Sequence, residues 1–251
     1  MRRVLTGIAV LLVPMVASAW VAYNDLAFSN NQSTAGNVTL YTVATGNHWQ
    51  FQQYGSGGAL LDYDTGNPLT ETVSISGSGG GPETSYQGSS TLNGDAATYF
   101  GGATVDALGT VTYGAGADMV LTFNNLDQAW TYTLTYYANR DNYTTRHIGA
   151  TLGGADAFLN ESSAGIIYSG GSDTGAFQTN SDNTAEGFVM RWSGIDPGAD
   201  GQITLTVSND RTSSTYYTYG SLFALEAIPE PSTVALFGIG GLLMMVRRRR
   251  K

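Results

Sequence analysis

The chain has 251 residues, no cysteine, two histidines, and 20 acidic against 11 basic residues, for a formal charge of −9. Seven of the 11 cations sit at the extremities, so residues 20–230 hold only Arg140, Arg146, Arg191 and Arg211 against all 20 acids and carry a formal −16. That balance excludes a nucleic-acid binder, which needs a basic stripe against phosphate; the missing cysteines exclude a disulfide framework and thiol chemistry.

Taken in chain order, the first element is a targeting segment. Met1-Arg2-Arg3 is a basic n-region, Val4–Val16 an apolar h-region, and Ala17-Ser18-Ala19 an A-x-A cleavage site. Together they predict an N-terminal signal peptide over residues 1–19, removed by signal peptidase so that the mature chain begins at Trp20. Beyond it, charged residues at 12% fall well below the usual ~25%, and 33 glycines exceed the average of about 7%. With many Thr and Tyr, that composition favours strands joined by turns. Strands are expected at 20–28, 38–43, 48–54 and 72–76, before a flexible break at Gly77-Ser78-Gly79-Gly80-Gly81-Pro82. The short stretch ahead of the break makes a thin independent unit, so one domain over 20–227 with a long loop is the expectation.

The alternation sharpens in the second half. Met119, Leu121 and Phe123 alternate with Val120 and Thr122, and Tyr132, Leu134 and Tyr136 with Thr131, Thr133 and Thr135, the pattern of half-buried strands. Asn124 to Gln128 supplies the turn between them, with Leu126 plugging the core. Further strands are expected at 188–192, 203–207 and 222–225, the first two separated by a turn at Gly194-Ile195-Asp196-Pro197-Gly198. No helical period outlasts a turn or two between the targeting ends. The fold class is therefore all-β, a single β-sandwich.

The last 24 residues form a second targeting segment: Pro229-Glu230-Pro231, an apolar run Thr233–Val246, then Arg247-Arg248-Arg249-Arg250-Lys251. The 14-residue run is about 21 Å as a helix, against a hydrocarbon core of roughly 30 Å. Counting Ser232 and letting Arg247 and Arg248 snorkel closes most of the gap, so 232–246 makes one short transmembrane helix. Five cations in a row stop transfer and stay on the cytoplasmic side, placing Pro229, Glu230 and Pro231 outside. Two prolines flanking one residue bar helix and sheet pairing, so the tripeptide should be extended and open to a protease. Motif, helix and basic cluster together resemble the PEP-CTERM sorting signal of Gram-negative bacteria, recognised by exosortase, an integral-membrane protease. The resemblance implies cleavage near Pro229-Glu230-Pro231, an inner-membrane precursor with its body outside and its C-terminus inside, and a mature body at the cell surface or in an exopolysaccharide matrix.

Two segments of the body carry a weaker likeness. Leu121 to Asp141 and Trp192 to Val207 resemble core strands and turns of secreted bacterial jelly-roll, galactose-binding-like modules. This implies a jelly-roll-like sandwich and assigns no activity.

Candidate chemistry is sparse. With only His48 and His147, no G-x-S-x-G element and no H-E-x-x-H pair, no catalytic residue is singled out and the body reads as non-enzymatic. No cofactor is expected beyond Ca²⁺, for which Asp62 and Asp64 in one Gly/Asn-rich loop, and Asp182 and Glu186 in another, place oxygen ligands at alternating or turn positions. Asx residues capping their own turns explain the same pattern. In Tyr216-Tyr217-Thr218-Tyr219 neighbouring rings fall on opposite strand faces, so at least one is expected at the surface. Tyr217 and Tyr219, with Arg140 in the loop Asn139-Arg140-Asp141-Asn142, form a candidate polysaccharide-binding surface; Arg140 pairing with an acid is the competing reading. The leading function is an exported surface or matrix-associated protein. A carbohydrate-binding module is the alternative, and a secreted hydrolase the third.

Overall fold

The computed structural model describes residues 19–26, 39–40, 58–77, 82–85, 91–103, 110–113, 118–139, 148–166, 174–177, 183–209 and 218–229. Its elements in chain order are β1 (Trp20–Asp25), β2 (Thr39–Leu40), β3 (Gly58–Leu61), β4 (Pro68–Gly77), β5 (Pro82–Ser85), α1 (Gly94–Phe100), β6 (Thr110–Tyr113), β7 (Met119–Asn124) and β8 (Trp130–Tyr137). There follow β9 (Ile148–Gly153), β10 (Ala157–Asn160), β11 (Thr174–Phe177), β12 (Met190–Asp196), β13 (Ile203–Asn209), β14 (Thr218–Gly220) and β15 (Leu222–Pro229). One six-stranded sheet has the order β10-β12-β8-β15-β1-β2 and the other β11-β9-β13-β7-β4-β3, with a three-stranded sheet β14-β6-β5 beside them. The fold is the all-β sandwich read from the sequence.

The strict alternation in β7 buries Met119, Leu121 and Phe123 completely. They meet Tyr132, Leu134, Tyr136, Trp192, Phe223 and Leu225 from the opposing sheet in one core cluster. Phe123 and Phe223 join the sheets edge to face, with ring centroids 5.3 Å apart. Burying each such side chain contributes roughly 1.5–3 kcal/mol, so this layer dominates stability. Leu126 enters the core from the turn as expected, while Asn125 takes a left-handed φ of 61° to reverse the chain.

Three details depart from the sequence reading. Strand β8 is buried on both faces over Tyr132–Tyr137, because α1 lies on the outer side of its sheet and closes a second cluster of Ala96, Phe100, Tyr137, Val189, Leu222 and Ala224. Ala96 and Phe100 stand four apart on one face of a helix with no side-chain cap, so tertiary packing sustains it. The expected turn at 194–198 is mostly strand: β12 runs to Asp196 through a bulge between Trp192 and Ile195, where Gly194 has φ 56°, and the chain reverses only after Pro197. Finally, the strand expected at 72–76 is longer, running as β4 from Pro68 to Gly77, and it pairs with β7 beyond the glycine-rich break, Ile75 opposite Leu121. The strand expected at 48–54 lies outside the described residues.

Candidate functional site

Strand β15, the last described element, runs into the C-terminal motif, and it is an inner strand. It pairs with β8 on one side and β1 on the other, both antiparallel. Along it Leu222, Phe223, Ala224, Leu225 and Ala227 are buried, Glu226 is half-buried, and Ile228 is 50% exposed. The buried body therefore ends at Ala227. Pro229 still forms the last rung, opposite Trp130. This corrects the expectation that the whole Pro229-Glu230-Pro231 tripeptide stands clear of the sheet: a proline is tolerated where the ladder ends and its missing N–H breaks no continuing bond. Glu230, Pro231 and Arg247 to Lys251 lie outside the described residues, as does the helix expected at 232–246; among the described residues no helix is long and apolar enough to cross a membrane.

Register brings the other end of the chain to the same place. Trp20 is opposite Ala227 and Val21 opposite Glu226, so the start of β1 and the end of β15 share one end of the sandwich. Ala19 is described and exposed there, whereas Ala17 lies outside the described residues. The Trp20 ring packs edge-on against Tyr132, 6.2 Å between centroids. Ala19, Trp20, Val21, Asp64, Glu226, Ala227 and Ile228 line an open groove of about 210 Å³.

Asp64 reaches this groove on the β3–β4 turn. Gly66 N donates to the Asp62 carbonyl at 2.7 Å, closing the turn. Both Asp62 carboxylate oxygens serve it too, Oδ1 accepting from Asp64 N at 3.2 Å and Oδ2 from Thr65 Oγ1 at 2.6 Å. The turn is stitched to β1 by Tyr63 N donating to Val21 O at 2.8 Å and by the Tyr63 ring edge-on to Tyr23 at 4.9 Å. Burial raises the Tyr23 pKa, and its electrostatic interactions with Glu226, then Tyr63 and Asp64, raise it further. Of the four residues read as Ca²⁺ ligands, Asp62 thus caps its own turn and Asp64 faces the groove. Glu186 lies on a separate turn and Asp182 outside the described residues. No cluster of three His, Cys, Asp or Glu occurs among the described residues.

Of the three residues of the candidate ligand surface only Tyr219 is described, and it does not stand at the surface. Tyr219 is 2% exposed, and its carbonyl accepts the Tyr136 hydroxyl at 2.8 Å. It belongs to the core, since all of β14 is buried where the small sheet meets the sandwich. Tyr217 and Arg140 lie outside the described residues. Asn139, beside Arg140, is fully buried. Its Nδ2 donates to Thr184 Oγ1 at 2.8 Å and its Oδ1 accepts from Asn183 N at 2.9 Å. Asn183 in turn donates through Nδ2 to Ala138 O at 3.2 Å and Phe188 O at 2.8 Å, and accepts from Phe188 N at 2.9 Å. Asn139 and Asn183, from two stretches read as separate candidates for sugar and cation, thus belong to one buried network that pins residues 183–188 to the end of β8. The turn residues of Asn183 to Glu186 signalled local capping; nothing local announced the partner.

The same segment also meets the start of α1, where the backbones nearly touch. Gly94 has φ +50° and Gly187 φ +62°, and a Cβ on Gly187 would stand 1.9 Å from Asn93 O. Across the same outer face Arg191 pairs with Glu161 and lies over the Tyr99 ring, 4.9 Å from its centroid. Sequence reading missed this pair because the residues are distant in sequence and joined only by the β10–β12 pairing.

Among known proteins, residues 227–251 match the family model described as the PEP-CTERM protein-sorting motif. That model is a sorting signal and not a catalytic domain, and its first residue coincides with the last buried residue of β15. No curated protein matches the chain. Among solved structures, the enzymatically active domain of tailspike protein 4 from bacteriophage CBA120 aligns at 13% identity and a TM-score of 0.28, over 63% of this chain and 19% of the other. An exo-β-1,3-galactanase from Phanerochaete chrysosporium, with galactose, aligns at 17% identity and a TM-score of 0.27, over 69% of this chain and 34% of that enzyme. The chain spans about a third or less of these proteins, and likenesses this distant carry no argument about fold or activity.

Proposed function

We propose that this chain, which ends in a PEP-CTERM sorting motif, is an exported, non-enzymatic surface or matrix protein cut at its C-terminus by an exosortase. The observation that carries the reading is the motif match over 227–251. The precursor enters by an N-terminal signal peptide, sits in the inner membrane with its body outside and the arginine cluster inside, and is released near Pro229-Glu230-Pro231. Geometry supports this arrangement. Between Pro229, the last strand residue, and the apolar run stand only Glu230, Pro231 and Ser232, a tether of at most about 11 Å. The rim bearing Trp20 and Ala227 therefore faces the membrane while the precursor is anchored, and both targeting segments leave the body at that rim. A body with a formal −16 stays soluble once released and resists self-association.

Replacing Glu230 with Ala, or Arg247–Arg250 with Ser, should leave an uncut precursor in the inner membrane, seen by fractionation and by mass spectrometry of the C-terminus. Unchanged release would overturn the sorting reading. The non-enzymatic role predicts retention of the mature body with cells or extracellular polysaccharide and no turnover across a broad glycan and ester screen; reproducible turnover would overturn that part alone.

A further inference from the structure

Cleavage after Ala19, on which this inference rests, turns the Trp20 amide nitrogen into an α-ammonium. We propose that this new cation is bound by the carboxylates of Asp64 and Glu226, so that signal-peptide removal itself completes the charge balance of the rim and locks β1 onto β15.

The three groups are held by independent parts of the fold. Trp20 is fixed by its register opposite Ala227 and by its ring against Tyr132. Glu226 follows from its pairing with Val21, and Asp64 from the turn that Asp62 closes and Tyr63 ties to Val21. All three line one groove with Ala19, the residue whose removal frees the nitrogen. Asp64 and Glu226 are the two acidic residues on the lining of that groove, where an α-ammonium meets opposite charge. Among the described residues the only basic side chain is Arg191, which is engaged with Glu161. Other titratable groups nearby are Tyr63 and Asp62 on the Asp64 turn, Glu71 and Asp127 beside Tyr132, and the phenols of Tyr23 and Tyr132, which burial raises above their ordinary value of about 10 and so keeps neutral near pH 8. In the precursor the same nitrogen is an amide and carries no charge.

The chain makes the test clean. Lys251 is its only lysine, so in mature protein lacking the tail the α-amino group is the sole amine that acetic anhydride can acylate. Mature protein recovered from the producing cells is first weighed by mass spectrometry; a chain beginning elsewhere than Trp20 sinks the cleavage reading and this inference with it. For a chain that begins at Trp20, the pH dependence of acetylation gives the α-amino pKa, with urea-unfolded protein as reference. The expected value lies at least about half a unit above the ordinary 7.7–8.0, a threefold shift in equilibrium. It returns to the ordinary range in the Asp64→Asn, Glu226→Gln double variant. Acetylated protein should melt at a lower temperature than free protein. A group whose folded pKa is raised stabilises fully below its unfolded pKa and loses that contribution as pH rises through the folded value, so the difference should close by roughly pH 9–10. An α-amino pKa equal in folded and unfolded chains, or a melting temperature indifferent to acetylation at pH 7, overturns the proposal, and neither measurement needs the double variant to fold.

Discussion

Replacing Asn183 with Ala tests whether the buried amide network, rather than the loop's own turn propensity, holds residues 183–188 in place. Asn183 is 1% exposed and its side chain makes three hydrogen bonds, to Ala138 O, Phe188 O and Phe188 N. At about 0.5–1.5 kcal/mol net for each, with partners left wholly or partly unsatisfied, the loss should be about 2–4 kcal/mol. Against a typical total of 5–15 kcal/mol that is a large fraction. Urea unfolding of the mature protein followed by tryptophan fluorescence would read it as a midpoint lowered by about 1 M, taking a slope of roughly 2–3 kcal/mol per M. The isosteric Asn183→Asp separates donor from acceptor. An ionised carboxylate keeps the contact with Phe188 N but turns an acceptor toward two carbonyls, so at pH 7 it should be at least as damaging as Ala. Burial and those carbonyls raise its folded pKa, so its stability relative to Ala should recover as pH falls and the protonated acid donates again. An Ala variant within about 0.5 kcal/mol of the parent would show that the network is incidental.

Other consequences follow from the same geometry. Gly187→Ala places a Cβ 1.9 Å from Asn93 O at a φ of +62°, and should cost more than the ~1–2 kcal/mol of left-handed strain alone, with the loss visible in the same urea midpoint. On β15, Leu225→Ala should cost about 2–5 kcal/mol, whereas Ile228→Ser, at a half-exposed residue past the buried body, should shift the thermal midpoint hardly at all; equal effects would mean that the core extends into the sorting motif. Burial raises the pKa of Tyr132 and Tyr136, with Glu71 and Asp127 adding to the first and a hydrogen bond from Asp127 N partly opposing it. Ultraviolet difference titration should therefore show these phenols un-ionised while exposed tyrosines titrate near the ordinary value of about 10. Because the unfolded chain gives up those protons first, stability should fall as pH rises above about 10.

Periodicity and composition determined by themselves that this is an all-β chain ending in a sorting motif, and they predict a signal peptide at its start. The evidence lay in neighbouring residues: the alternation of Met119, Leu121 and Phe123, the turn carrying Leu126, the run from Thr233 to Val246 and the arginines after it. A strand's period of two and a membrane segment's length are local properties, legible wherever the residues stand side by side. What only the tertiary structure decided was who meets whom. Tyr219 looks like a surface ring until the small sheet seats it on Tyr136, and β8 reads as half-buried until α1 covers its outer face. Asn139 and Asn183 read as two loops until they are one network. Above all, Trp20 and Ala227 are more than 200 residues apart in sequence, and only their antiparallel pairing brings the first and last strands of the body to one rim. Strand partners far apart in sequence are selected by the complementarity of whole faces and by the closure of the sheet. No window of neighbouring residues contains that information.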